Sequence, residues 1–404
     1  MISVKEARDR MLDTFRPMPA EQVALAAAVG RVLAEDVVAR RTQPPVALSA
    51  MDGYAVRAAD VATVPAKLAC IGQAPAGGAY QGTVGPGQAV RIFTGGPVPD
   101  GADAIVIQED TEAEGDTVTV RESAQKGRYV RPAGLDFKEG AVGLKAGRRL
   151  GAREIGLAAA MDVPWLQVRR KPRIALLATG DEIVMPGDPV GPNQIVSSNV
   201  PALAAFVAEH GGQPVDLGIA RDSVVSLRQK AAGAAGADLL VTSGGASVGD
   251  HDLVQEALGK RGLDIDFWQI AMRPGKPLMF GRYGEVPLLG LPGNPVSSLV
   301  CALLFLGPIL RRLLGLGETA PRSMTARLGA DLGANDRRED YMRARLARDG
   351  DGELVATPFP KQDSSMISLL VEAGCLVIRA PLAPAAKAGD TVEVIPLTLS
   401  EWGA

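Results

Sequence analysis

The feature that most constrains the fold of this chain is a regular alternation of apolar runs and helical segments between residues 173 and 314. Between the runs, Asn199 is placed to cap a helix that Gly211 and Gly212 stop, and a helix follows Asp222. Strands alternating with helices predict a doubly wound, mainly parallel α/β sheet. The expected strands are 174–178, 215–217, 238–242, 265–270, 278–280 and 286–289, and the last helix is expected from 296 to about 314.

The rest of the chain has a different pattern. Glycine and proline interrupt short β-like runs from about residue 46 to 130, and the tail from residue 321 is again β-rich, with one helical patch near Met366. The N-terminus predicts a helix, because Ser3 and Glu6 have the spacing of a capping box and Pro17 lies beyond its end. The apolar stripe of this helix would consist of Val4, Ala7, Met11 and Phe15.

Composition excludes several classes of function. The chain has 404 residues, 43 basic and 46 acidic, and its net charge of −3 argues against broad nucleic-acid binding. Three separated cysteines make no disulfide framework, which favours a reducing cytoplasm, and two histidines make a zinc site improbable. The N-terminus has no apolar signal segment. The longest uncharged run, 286–310, contains two prolines and predicts a buried strand, turn and helix, so no membrane span is expected.

Four unusual loops follow the predicted strands of the α/β region. Thr-Gly-Asp-Glu ends at Glu182, a glycine-rich loop covers 243–250, and Arg-Pro-Gly-Lys-Pro and Leu-Pro-Gly-Asn-Pro cover 273–277 and 291–295. Ligands of such sheets bind at the carboxyl ends of the strands. Glycines let backbone N–H groups face an anion, and the loops carry full positive charges as well. We therefore expect a phosphorylated anion, with Arg273 and Lys276 beside the carboxylates of Glu182, Asp250 and Asp252.

Carboxylates beside phosphates repel them unless a divalent cation bridges the two, as Mg²⁺ does. Asp222, Asp250 and Asp252 are candidate ligands, although N-capping of helices explains Asp222 and Asp252 equally well. A rival motif at 245–249 matches the Gly-x-Ser-x-Gly nucleophile elbow, but the only later histidine is His251, which disfavours a serine hydrolase. A solvated histidine at a helix start explains His251 better than a metal ligand does.

The segments also carry a resemblance to a known family. The segments that carry it are Ser-Ala-Met-Asp-Gly-Tyr-Ala at 49–55, Ile-Phe-Thr-Gly-Gly-Pro-Val-Pro at 92–99, and the four α/β loops. They follow one another in the order found in the family. Together they resemble the molybdopterin molybdenumtransferases, the bacterial MoeA family, which is similar to the C-terminal part of gephyrin. The resemblance implies a cytoplasmic enzyme that inserts molybdenum from molybdate into adenylated molybdopterin and releases AMP, with Mg²⁺. A non-catalytic molybdopterin-binding scaffold is the alternative, and a nucleotide pyrophosphatase is a weaker one.

The resemblance also implies an architecture. It predicts an elongated homodimer of multidomain chains, in which the α/β domain of one chain faces the β-rich domain of its partner across a cleft. Molybdopterin adenylyltransferase and molybdoenzyme-maturation proteins are compatible further partners. The expected subdomains are a discontinuous one at 1–45 and 130–165, a β-rich insertion at 46–129, the α/β domain at 166–320 and a C-terminal β-barrel at 321–404.

Site residues follow from the matching motif positions. Carried over to this sequence, the catalytic set is Asp52, Thr94, Asp136, Glu182, Asp222 and Asp252, of which Asp222 and Asp252 would hold the metal. The nucleotide-linked pterin would lie on Gly244, Gly245, Ser247, Gly249, Arg273, Lys276, Pro292, Gly293, Asn294 and Pro295, and molybdate on Lys276, Ser297, Arg338 and Ser365. Arg273 departs from the family pattern because it replaces the usual lysine, and an arginine offers a planar fork where a lysine offers a point charge.

Overall fold

A computed structural model describes residues 1–244, 263–317 and 320–397. The chain forms two compact units. One contains residues 1–21, 30–34 and the chain from Val168 onward, and the other contains residues 22–29 and 35–167. The subdomain boundaries expected from the sequence stay predictions.

The larger unit contains the predicted α/β sheet. Its strands lie in the order Gln213–Ala220, Arg173–Thr179, Leu239–Ser243, Val286–Leu291, Pro277–Tyr283 and Leu263–Gln269. The first four are parallel, and each of the last two is antiparallel to its neighbour. Two reversals return strand Leu263–Gln269 to the direction of the parallel set. The prediction of a doubly wound, mainly parallel sheet is confirmed.

Both faces of this sheet are buried. Along the central strand Arg173–Thr179, Ile174, Leu176 and Ala178 belong to one hydrophobic core. The alternate residues Ala175 and Leu177 belong to another. Because successive strand side chains point to opposite faces, a strand covered on both sides needs an unbroken apolar run, which explains why the sequence revealed it.

Helices cover the sheet. They are Val4–Thr14, Asn199–Glu209, Val224–Ala231 and a long helix made of Pro295–Cys301, a π-helical turn Ala302–Leu306 and Gly307–Leu313. The N-terminal prediction is confirmed: the amide of Glu6 donates to Ser3 Oγ at 3.1 Å, and Val4, Ala7, Met11 and Phe15 are buried. By length and composition the helix Pro295–Leu313 could cross a membrane, but 89% of its apolar window is buried inside the unit. This confirms the predicted core helix.

Two predicted helix caps are wrong. The side-chain Nδ2 of Asn199 donates to Ser243 Oγ at 2.8 Å and to the carbonyl of Gly293 at 2.7 Å. Asn199 thus joins two loops instead of capping its own helix. The helix after Asp222 is capped by Ser223, whose Oγ accepts from the amide of Ser226. Capping therefore does not explain the carboxylate of Asp222.

The C-terminal part of the same unit is a closed five-stranded barrel. Its strands, in hydrogen-bonding order, are Glu339–Arg348, Leu354–Pro358, Met324–Leu328, Thr391–Pro396 and Cys375–Arg379, and the last pairs again with the first. The short strand Met272–Arg273 from the α/β region adds to this sheet beside Glu339 and Asp340. Helix Ile367–Glu372 confirms the helical patch near Met366.

The smaller unit contains a curled six-stranded sheet. The strand order is Ala104–Ile107, Gly53–Val56, Gln88–Ile92, Ala66–Ala74, Thr117–Val120 and Thr111–Glu114. Pairs of short strands, Val37–Val38 with Val142–Leu144 and Leu48–Ser49 with Val130–Arg131, lie beside it, together with helix Ala152–Ala160. Strands Ala20–Ala24 and Trp165–Arg169 pair with each other, as do Ile183–Val184 and Ile195–Val196 in the larger unit.

Gly53 is a position where the curled sheet tolerates no side chain. A Cβ atom there would lie 2.0 Å from the carbonyl oxygen of Val106 on the neighbouring strand. We expect Gly53→Ala to destabilise this unit by about 2–3 kcal/mol, because the ladder must move to accept the methyl group. The measurement is denaturant unfolding of the full chain.

Gly156→Ala is the matched control. Gly156 lies inside helix Ala152–Ala160, and an added Cβ meets no atom within 4 Å. This substitution is expected to stabilise the unit by about 0.5–1 kcal/mol through helix propensity. Equal effects of the two glycine replacements would contradict the steric argument.

Candidate functional site

A cavity of about 650 Å³ opens at the carboxyl edge of the parallel strands, where the sequence places the site. Loops from four strands of the sheet meet there with two segments of the barrel, one at Arg338 and one at 362–364. Of the predicted residues, the lining includes Glu182, Gly244, Arg273, Lys276, Pro292, Gly293, Asn294, Ser297 and Arg338. The sequence analysis missed Asn199, Gln362, Asp363 and Ser364, which also line it.

The glycine loop approaches its neighbouring strand closely. Gly244 has φ +92°, and a Cβ there would lie 2.6 Å from the carbonyl oxygen of Thr179. Only glycine fits such a position without strain. Beside it, Thr179 Oγ1 is buried and has no hydrogen-bond partner in the described part of the chain. The continuation of this loop, with Gly245, Ser247, Gly249, Asp250, His251 and Asp252, lies outside the described residues.

The barrel contributes one wall of the cavity through its 362–364 loop. Asn294 Nδ2 donates to Ser364 Oγ at 2.9 Å, and the amide of Val296 donates to the carbonyl of Ser364 at 3.1 Å. These bonds hold the Pro-Gly-Asn-Pro turn and the start of helix Pro295–Leu313 against the barrel. Ser297, in the first turn of that helix, is buried and lines the cavity. Pro295 occupies the first helical position, where its missing N–H costs nothing.

Three basic side chains line the cavity, and they differ in whether a carboxylate neutralises their charge. Arg273 donates to the carboxylate of Asp340, and Arg338 donates to Asp336 at 2.7 Å. The side chain and amide of Arg338 lower the pKa of Asp336 to about 2, so this carboxylate is charged at neutral pH. Lys276 is exposed, and no ion pair of its ammonium is found among the described residues. Of these three described cations, Lys276 is therefore the one whose charge is not offset by a carboxylate and can attract a bound anion.

Of the predicted acidic residues, Glu182 and Asp222 lie in the described part of this unit. Glu182 lines the cavity itself. Asp222 lies in a reciprocal pair with Asp181: each carboxylate accepts from the other residue's amide, at 3.3 and 3.2 Å. Sequence analysis passed over Asp181, although it lies within the Thr-Gly-Asp-Glu motif.

The barrel loop adds a further carboxylate to the lining of the cavity, that of Asp363. It accepts from the amide and hydroxyl of Ser365 at 2.8 and 2.7 Å, and these bonds lower its pKa. The Ser365 hydroxyl, expected at molybdate, therefore donates to a neighbouring carboxylate. The Asp-Ser-Ser run of this loop is a turn signal that could have drawn attention to it.

The smaller unit holds the other predicted acids. Asp52 Oδ1 accepts from the amide of Thr94 at 2.6 Å and from its hydroxyl at 2.8 Å, which lowers the pKa of Asp52, with a smaller effect from Arg91. Asp52 and Thr94, two members of the set carried over from the family resemblance, are thus in direct contact. Asp136 is exposed, and its amide donates to the carbonyl of Gln43.

Comparison with known proteins agrees with this architecture along the whole chain. Residues 2–161 match the MoeA N-terminal region, domains I and II. Residues 175–312, which form the sheet and most of the cavity lining, match a probable molybdopterin binding domain. Residues 325–397 match the MoeA C-terminal region, domain IV. The fold and its cavity define a protein of molybdenum cofactor biosynthesis.

Individual relatives narrow the identification. The chain is 38% identical to the molybdopterin molybdenumtransferase of Nostoc sp., over 86% of this chain and 82% of that one. It is 32% identical to that of Haemophilus influenzae, with 98% of each covered. The crystal structure of a molybdopterin biosynthesis MoeA protein from Pyrococcus horikoshii superposes with a TM-score of 0.86 at 31% identity, covering 98% of this chain and 99% of that one. The chain belongs to the MoeA family and is a transferase, which confirms the resemblance seen in the sequence.

Proposed function

We propose that the protein inserts molybdenum from molybdate into adenylated molybdopterin and releases AMP. The observation that carries this proposal is the cavity at the carboxyl edge of the sheet, with Ser297 at the start of a long helix and Lys276 as a cation that has no ion pair among the described residues. Such a site suits an oxyanion, because a lysine ammonium and the first turn of a helix line the same cavity. Curated relatives that match most of this chain are named for the same transfer.

The reaction makes two demands on the site. Molybdate must be held while the dithiolene sulfurs replace oxygens that leave as water, and the phosphoanhydride that joins AMP must be cut. We assign Lys276, Ser297, Arg338 and the 362–365 loop to the oxyanion, and Gly244 with the 291–295 turn to the nucleotide-linked pterin. Glu182 would orient the substrate or accept a proton at the cavity wall. The Asp52–Thr94 pair and Asp136, in the smaller unit, would likewise orient the substrate or accept a proton.

The described carboxylates suit a Mg²⁺ ion that protein and substrate would coordinate together. Mg²⁺ binds through one or two carboxylates and completes its shell with phosphate oxygens and water. Asp181 and Asp222 offer two carboxylates held together by their backbone bonds. No group of three or more metal-binding side chains is found within the described ranges. When bound, Mg²⁺ would offset charge on the departing AMP. We therefore propose Asp222 as one ligand. Asp252, the second ligand that the family resemblance implies, lies outside the described residues.

The assembly is also part of the proposal. We infer a cytoplasmic homodimer in which the smaller unit of one protomer completes the cavity of its partner. Molybdopterin adenylyltransferase would supply the substrate, and molybdoenzyme-maturation proteins would receive the product.

The proposal is tested by mixing purified protein with adenylated molybdopterin and Mg²⁺, with and without molybdate, and measuring AMP. Molybdate-dependent AMP release is expected. Equal release without molybdate would instead indicate a nucleotide pyrophosphatase. Retention of the pterin without any AMP would favour the scaffold alternative, for which the Asp52–Thr94 contact has no evident use.

A further inference from the structure

We propose that Arg273 is a positioning residue, which joins Asp340 and Asp336 and thereby holds Arg338 against the cavity. The sequence places Arg273 on the nucleotide-linked pterin, so this inference gives it a different role. It rests on the proposed function, because it takes Arg338 as a residue that binds the molybdate oxyanion.

The contact with Asp340 is built into the backbone. Arg273 and Asp340 are paired in the parallel ladder between strand Met272–Arg273 and the barrel, and the amide of Glu339 donates to the carbonyl of Ala271 at 2.9 Å. Both Nε and Nη2 of Arg273 donate to Oδ2 of Asp340, whose side chain is only 11% exposed. A buried carboxylate needs such a partner, since an unpaired buried charge is costly.

The other edge of the guanidinium faces the segment that carries Arg338. Arg273 Nη1 lies 3.5 Å from Oδ2 of Asp336, and Arg338 Nη2 donates to the same oxygen at 2.7 Å. Arg338 also donates its amide to Asp336 Oδ1 at 2.8 Å. Asp336 therefore lies between two guanidinium groups, and Arg273 acts on Arg338 through it.

The side chain of Asn335 stabilises this arrangement with further hydrogen bonds. Its Oδ1 accepts from Arg273 Nη2 at 3.3 Å, and its amide donates to the carbonyls of Arg338, Arg379 and Ala380 at 2.8–3.0 Å. The segment that carries Arg338 is thus tied to two parts of the barrel and to Arg273. A shift of Arg273 would be transmitted to it.

Charge balance separates this role from direct phosphate binding. Two aspartates, Asp336 and Asp340, offset the two arginines, Arg273 and Arg338, and this leaves Lys276 as the cation without a partner in the described chain. A planar fork can bind carboxylates along two edges at once, whereas an ammonium is a single point charge. A lysine at position 273 could hold Asp340, but it would lose the link to Asp336.

The test is a double-mutant cycle on the full-length dimer, with calorimetric titration of molybdate as the direct readout. Arg273→Lys and Asp340→Asn are each expected to weaken molybdate binding about fivefold, the size of a partly exposed ion-pair effect. The double variant should be no weaker than either single one, because both interrupt the same chain of contacts from Asp340 through Arg273 to Asp336. Arg345→Lys, on the same barrel strand but paired with Glu372 outside the cavity, is the matched control and should bind as wild type does.

Kinetics and thermal unfolding complete the test. The positioning role predicts a raised KM for molybdate, an unchanged KM for adenylated molybdopterin and an unfolding temperature close to wild type. A raised KM for adenylated molybdopterin with additive effects in the cycle would overturn the inference, as would unaltered molybdate binding by Arg273→Lys. If the wild-type protein itself neither binds molybdate nor releases AMP with it, the proposed function falls, and this inference falls with it.

Discussion

Lys276→Ala is expected to lower kcat/KM for molybdate-dependent AMP release by about 100-fold, in the range seen when one preorganised charge-stabilising group is removed. Lys276 lines the cavity in the turn between two strands, and its backbone is fixed by the bond from the amide of Ile270 to its carbonyl at 3.1 Å. The two arginines nearby are already paired with aspartates. Among the described residues of the cavity, the positive charge left for an incoming anion therefore comes from this ammonium.

Two variants sharpen this expectation. Lys276→Arg keeps the charge and should retain part of the activity, since its fork cannot reproduce the geometry of a compact ammonium. Lys171→Ala removes an exposed lysine next to the start of strand Arg173–Thr179, at the amino edge of the same sheet, and should leave activity unchanged. If Lys276→Ala released AMP as fast as Lys171→Ala does, the cavity would not be the site of oxyanion binding.

The sequence predicted the strands of the α/β sheet well because burial on both faces leaves a simple pattern. Strand Leu239–Ser243 is buried along its whole length, and its sequence is an apolar run followed by threonine, serine and glycine. The parallel runs end in loops at the same edge, so the position of the cavity followed from topology alone. Closure of the barrel had no such local signal and was implied only by the resemblance.

Side-chain partners were harder to predict because they depend on contacts between distant residues. Asp222 and Ser223 are adjacent and both suit an N-cap, and only the structure shows that Ser223 takes that place. Asn199 was assigned a local role, yet its amide joins loops 44 and 94 residues further along the chain. Arg273 meets Asp340 across 67 residues. Sequence spacing cannot distinguish such a held arginine from one that is free to bind phosphate.

Asp52→Asn and Lys276→Ala, each nearly inactive alone, are expected to restore activity when they are combined in one dimer. Asp52 belongs to the smaller unit and Lys276 to the larger one. If each site takes these two residues from different protomers, a heterodimer holds one site with both residues intact and one site that lacks both. Purified heterodimers, obtained by co-expression with two affinity tags, should then show about half of wild-type AMP release, because one of the two equivalent sites of a symmetric dimer is complete.

The loss in Asp52→Asn itself has a local cause. The amide keeps the size of the carboxylate and can still accept from Thr94, but it carries no charge and cannot take up a proton. The variant thus tests the chemistry of Asp52 more than its packing.

A second pair of variants separates restored sites from incidental recovery. Lys276→Ala and Ser297→Ala both alter the lining of one cavity within the larger unit, so their heterodimer contains no intact site under either arrangement. This pair should stay inactive, while the Asp52→Asn and Lys276→Ala pair recovers. A monomeric mass in solution, or a heterodimer no more active than its parents, would show that each protomer builds its site alone, and Asp52 would then have to act on the cavity of its own chain.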